Sequence, residues 1–161
     1  MNTMRQMPAV RAEMLIRRPV GDVFTALVEP EETTKFWFTK SSGRLEVGKT
    51  VRWDWDMYGV SAEVNVKTVE PDRRIVYEWE EAEGYSTVEW QFTSRGDNAT
   101  LVSVTNTGFA GEPDDVVRQV IDSTGGFTIV LCGMKAWLEH HIRLNLVADQ
   151  APDALVSGWS E

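Results

Sequence analysis

The sequence predicts an α+β fold. It reads as an antiparallel sheet of consecutive strands with one apolar face, a long C-terminal helix covering that face, and two short helices after the first strand. Three observations carry this. Val51-Arg52-Trp53-Asp54-Trp55-Asp56-Met57 alternates apolar and charged residues without an error, and a strand sends successive side chains to opposite faces. Further alternating stretches follow it, up to Thr107. Phe127, Leu131, Met134, Leu138 and His141 then recur at steps of three and four, which is the stripe of an amphipathic helix.

Taken in order, Val10, Ala12, Met14 and Ile16 alternate with Arg11, Glu13 and Arg17 and predict a first strand. Pro19 fits a first helical turn, and Val20, Val23, Phe24 and Leu27 give that helix its stripe. Pro30 with Glu31 and Glu32 opens a second helix running into Phe36-Trp37-Phe38. Tyr58-Gly59 reads as a two-residue hairpin loop, which sets Trp55 opposite Ala62, Trp53 opposite Val64 and Val51 opposite Val66. Pro71-Asp72 is the next turn, and a tight loop there brings Val66 to Tyr77 and Val64 to Trp79. Strands Ser86 to Thr93 and Thr100 to Thr107 complete the meander. Pro113 to Ser123 reads as a short helix, Gly125-Gly126 as an interruption, and Phe127 to about Val147 as the long helix. The tail from Asp149 reads as irregular.

Composition bounds the function. With 161 residues, 42% hydrophobic and 25% charged, a single domain over 1–161 with its core at about 10–147 is expected, both ends being loosely ordered. No apolar run approaches the ~20 residues of a membrane span, and Met1 to Arg18 lacks a signal-peptide apolar region. A cytoplasmic location and no membrane partner are therefore expected. A net charge of −9 argues against nucleic acid. Cys132 is the only cysteine and there are two histidines. An internal disulfide is thus excluded and no metal or cofactor is expected. Motifs for phosphate loops, dinucleotides or a nucleophilic serine are absent from the sequence.

Several segments resemble a known family. Pro19-Val20-Gly21-Asp22-Val23-Phe24-Thr25-Ala26-Leu27-Val28-Glu29-Pro30-Glu31 with Phe36-Trp37-Phe38 is similar to the opening signature of the AHSA1-like family, within the START/Bet v 1-like (SRPBCC) superfamily. Val69 to Trp79 resembles its mid-chain turn and strand. Thr100-Leu101-Val102, Thr107-Gly108-Phe109 and Gly126-Phe127 with Leu131 resemble its last strand and closing helix. The resemblance spans roughly Val10 to Val147 and implies the helix-grip fold, with a cavity between sheet and long helix.

The residues supply the lining of that space. Trp53, Trp55, Tyr77, Trp79 and Trp90 share one sheet face, and Phe127, Leu131, Met134, Leu138 and His141 come from the helix. Trp37 reads either as a guard at the entrance or as a core anchor. These rings either line a ligand pocket, with the Tyr77 hydroxyl, the indole N–H groups, His141 and Asn106 as polar groups, or fill the space with each other. The leading expectation is a non-catalytic binding protein for a small hydrophobic or aromatic ligand, acting as a monomer or homodimer. One alternative is an enzyme of the polyketide cyclase or aromatase kind, with Tyr77 or His141 as acid/base. Another is a chaperone-linked protein-interaction module. On the opposite face the expected registers put Asp54 across from Glu63, Glu63 from Glu80 and Glu78 from Glu89. Such facing like charges are unfavourable, and a basic protein partner would relieve them.

Overall fold

The computed structural model describes residues 8–159. Its elements are β1 (Val10–Ile16), α1 (Val20–Val28), α2 (Pro30–Thr33), β2 (Lys40–Ser41), β3 (Thr50–Trp55), β4 (Val60–Glu70), β5 (Arg74–Glu81), β6 (Gly84–Ser94), β7 (Thr100–Thr107), α3 (Pro113–His140) and α4 (Leu146–Asp149). The strands form one antiparallel sheet in the order β1-β7-β6-β5-β4-β3-β2. The helix-grip architecture expected from the sequence is present, with α3 laid over the apolar face and the rest of the core between them. The reading of the segment before Pro8 lies outside the described residues.

Local chemistry accounts for the early elements. Pro19 precedes α1, whose Val23, Phe24, Ala26, Leu27 and Val28 are buried. Pro30 occupies the first turn of α2, where its missing N–H costs nothing, and Glu31 and Glu32 favour the positive end of the helix dipole. α2 is only one turn, because Thr33 turns back and donates its hydroxyl to the carbonyls of Ala26 and Glu29 at 2.7 and 3.0 Å. The two-residue strand β2 is an addition to the expected set; it pairs Lys40 with Asp54 and Ser41 with Trp53.

Two registers differ from expectation. The β3–β4 connection is Asp56-Met57-Tyr58-Gly59, so Trp55 faces Val60, Trp53 faces Ala62 and Val51 faces Val64. The slip is two residues, so every face assignment survives it. Gly59 holds φ 63° there, and a Cβ on it would sit 3.2 Å from Val156 Cγ1. The β4–β5 loop is three residues, Pro71-Asp72-Arg73, and a bulge at Lys67 absorbs the extra residue. Val66 therefore still meets Tyr77, and Val64 still meets Trp79, as expected.

The facing carboxylates of the outer surface are corrected by the same registers. Arg52 lies across from Glu63, and Asp54 across from Ser61. Glu78 faces Asn65 and Thr87 rather than Glu89. Arg52 Nε reaches Asp54 at 2.9 Å, and Arg74 Nη2 reaches Glu89 at 3.0 Å. Glu80 lies beside Glu63, but its carboxylate accepts the Glu63 backbone N–H at 2.7 Å. The repulsion that suggested a basic partner is thereby largely answered within the chain.

The C-terminal third also differs. Gly125-Gly126 does not interrupt the helix, and α3 is continuous for 28 residues. It ends at His140 instead of about Val147, with His141 in the left-handed region at φ 54°. The tail is docked: Val156 N donates to Met57 O at 2.8 Å, and the Tyr58 hydroxyl donates to the Val147 carbonyl. Among the described residues no helix is long and apolar enough to cross a membrane.

Candidate functional site

The inner sheet face divides into a filled half and an open half, and Trp37 separates them. The short α2 and its exit turn deliver Phe36, Trp37 and Phe38 beneath α3, all three buried. The Trp37 ring centroid lies 4.9 Å from Trp53, 5.7 Å from Trp90, 5.9 Å from Trp79, 6.0 Å from Phe127 and 6.5 Å from Trp55. It is an anchor and a wall at once. Behind it Phe38 stacks on Trp53 at 4.5 Å, and Tyr77 meets Trp53 edge-on at 5.2 Å. Edge-on and offset ring pairs each contribute about 0.5–1.5 kcal/mol beyond area burial, so this half is solid core.

In front of Trp37 lies a hollow of about 360 Å³. Its walls are Trp37, Trp55 and Val60 on one side, Trp79 and Glu81 beneath, and Phe127, Gly126 and Val130 from α3. Tyr58, Val147, Gln150, Asp122 and Ser123 complete the lining. Trp55 and Trp79 are half-buried, unlike Trp53 and Trp90. The Trp79 and Phe127 rings lie 5.7 Å apart and tilted by 33°, so sheet and helix meet there in one continuous aromatic wall.

The polar groups form a connected set. Trp79 Nε1 donates to Ser86 Oγ at 3.1 Å, and Ser86 Oγ donates to Glu81 Oε1 at 2.6 Å. Asn106 Nδ2 donates to Ser86 Oγ and to the Thr87 carbonyl, each at 2.9 Å. Asn106 Oδ1 is buried without a protein partner among the described residues. Burial pushes the Glu81 carboxyl pKa up, while hydrogen bonds from Ser86 and Trp79 pull against it. Trp90 Nε1 donates to the Tyr77 hydroxyl at 3.1 Å, and burial drives that phenol well above its ordinary range.

Of the residues singled out from sequence, Trp37, Trp55, Trp79 and Phe127 therefore line the hollow together. Trp53, Tyr77 and Trp90 lie in the filled half behind Trp37, and Leu131, Met134 and Leu138 are buried core of α3. His141 is corrected: it caps α3 on the surface and meets Trp137 edge-on at 5.2 Å. Its helical periodicity was apt, but the helix ends one residue before it. Neither Tyr77 nor His141 reaches the hollow. Cys132 is half-buried on α3 and is not a lining residue. Among the described residues no group of three His, Cys, Asp or Glu side chains could hold a metal ion.

Sequence reasoning missed Tyr58, Glu81, Asp122 and Gly126. Two of these were readable. Strand parity from Tyr77 through Trp79 puts Glu81 on the inner face. A helix continued through the glycines puts Asp122, Gly126 and Val130 on one side at steps of four.

Comparison with known proteins agrees with this architecture. A protein from Staphylococcus saprophyticus is 28% identical, with a TM-score of 0.73 over 85% of this chain and 96% of its own. The Aha1 dimer from Colwellia psychrerythraea is 17% identical, with a TM-score of 0.69 over 83% of this chain and 98% of its own. CalU16 from Micromonospora echinospora is 16% identical, with a TM-score of 0.68 over 91% of this chain and 83% of its own. The last two likenesses are of fold alone. No curated protein matches the chain. Residues 17–139 match the model of the Activator of Hsp90 ATPase homolog 1-like proteins, and the chain belongs to that family.

Proposed function

We propose that the chain is a non-catalytic binding protein for a small hydrophobic or aromatic molecule, held in the hollow between the sheet and α3. One observation carries the reading: Trp37, Trp55, Trp79 and Phe127 converge on a space of about 360 Å³ and leave it open. Small-molecule sites fall at about 300–1,000 Å³ and are mostly apolar with few polar groups. The half-buried indoles of Trp55 and Trp79 offer aromatic surface on which a ring packs well. Burial of ligand surface at about 25 cal/mol per Å² supplies the affinity, less the entropy lost on association.

Intrinsic tryptophan fluorescence, titrated with flat bicyclic and tricyclic compounds and with lipid-like chains, tests this. Trp55 and Trp79 border the hollow and report occupancy directly. A saturable change with the flat compounds, accompanied by a raised Tm, is expected. No saturable change with any compound, and no shift in Tm, would overturn the reading.

A further inference from the structure

The hollow's aromatic walls carry charge of one sign only. Glu81 and Asp122 line it, and no Lys, Arg or His does. Beside it a second cleft of about 320 Å³ shares Glu81, Asp122 and Ser123 and adds Glu83, Asp115, Arg118 and Gln119. Arg118 is held by Asp115 at 3.3 Å. Some carboxylates elsewhere are engaged: Asp22 by Arg18, Glu29 by Arg44, Glu46 by Lys49, Glu89 by Arg74 and Glu139 by Lys135. Glu81 and Asp122 have no ion-pair partner among the described residues. Glu81 is also oriented, because Ser86 fixes one carboxylate oxygen and Trp79 fixes Ser86. The same indole thus forms the wall of the hollow and sets the acid at its edge.

From this the geometry points to a ligand with a flat apolar body and a positively charged amine, the body lying among Trp37, Trp55, Trp79 and Phe127 and the amine meeting Glu81 and Asp122. The inference rests on the binding function proposed above and names the chemical class of its ligand. Indole faces attract cations through the ring quadrupole, most strongly where water is excluded. The half-buried Glu81 carboxylate and the exposed Asp122 carboxylate, neither of them ion-paired among the described residues, add a Coulombic attraction and repel an anion of the same shape. A carboxylic acid or phosphate on the same ring system is therefore rejected at the rim, although its body fits.

Three probes sharing a naphthyl body separate these terms: 2-naphthylmethylammonium, 2-naphthylmethanol and 2-naphthoate, titrated calorimetrically at low salt into the full chain. The ammonium is expected to bind at least about fivefold more tightly than the alcohol, and the carboxylate more weakly than either. In the double variant Glu81→Gln/Asp122→Asn the ammonium should fall to the affinity of the alcohol. The ratio of ammonium to alcohol affinity is the readout, and an unchanged near-ultraviolet circular dichroism spectrum reports an intact fold. Equal binding of all three probes, or an ammonium preference that persists in the double variant, overturns the assignment while leaving the binding function standing. If none of the three binds, the ligand class assigned here fails, and the binding function fails with it where the fluorescence panel is silent too.

Discussion

Glu81 and Gly126 both stand where stability alone would choose another residue. Glu81 follows Ile75, Tyr77 and Trp79 on the inner face, and burial raises its pKa in the folded state. A carboxyl with a raised folded pKa binds its proton more tightly in the native protein. Its contribution is present below the unfolded value and is lost as pH rises through the folded value. Glu81→Gln should therefore gain in urea midpoint relative to the parent as pH is raised from about 3 to 7. Parallel midpoints across that range would show that the carboxyl is not destabilising. Gly126 sits inside α3 without a positive φ, and a Cβ there meets no atom within 4 Å. Neither backbone geometry nor close packing requires glycine, yet an interior glycine costs about 1 kcal/mol relative to alanine. Gly126→Ala should raise stability by about that amount in chemical denaturation. Gly126→Leu should project into the hollow and abolish the fluorescence response while the fold persists. Gly125→Ala is the control, since Gly125 does not line the hollow; it should stabilise without altering binding.

At the scale of elements, α3 is one helix doing two tasks along its length. Around Gly126 it stands away from the sheet and leaves the hollow; around Gly133 it presses on the α2–β2 connection. A Cβ at Gly133 would lie 3.1 Å from Phe36 Cβ and 3.3 Å from its carbonyl oxygen. Phe36 is buried and precedes Trp37, so neither atom can swing aside. Gly133→Ala is expected to destabilise by about 1 kcal/mol despite its better helix propensity, the opposite sign to Gly126→Ala in the same helix. Denaturation midpoints of the two variants measured side by side check this. Further anchors hold the same end of α3. Trp137 Nε1 donates to Glu32 at 2.7 Å, Lys135 Nζ to the Leu15 carbonyl at 2.7 Å, and the Arg17 N–H to Glu139 at 2.9 Å. The end nearer Pro113 lacks comparable side-chain ties to the sheet among the described residues.

Across the whole molecule, the sequence by itself determined which residues face inward. A strand's period of two and a helix's period near 3.6 are local properties, so Trp53, Trp55, Tyr77, Trp79 and Trp90 fell on one face whatever the loops did. Even the two-residue slip at Asp56–Gly59 and the bulge at Lys67 left that parity intact. Register was legible only where loop and bulge offset each other. The outer carboxylates were therefore mispaired in the reading from sequence, since pairing across strands depends on loop length as well as parity. Likewise, the glycine pair looked like a break because propensity is a weak guide once a helix is packed. Only the tertiary structure decided which inward rings are core and which are wall. That choice depends on Trp37, delivered from a different part of the chain, filling the space over Trp53 and Trp90 and stopping short of the outer faces of Trp55 and Trp79. No local period encodes where one side chain ends against others distant in sequence.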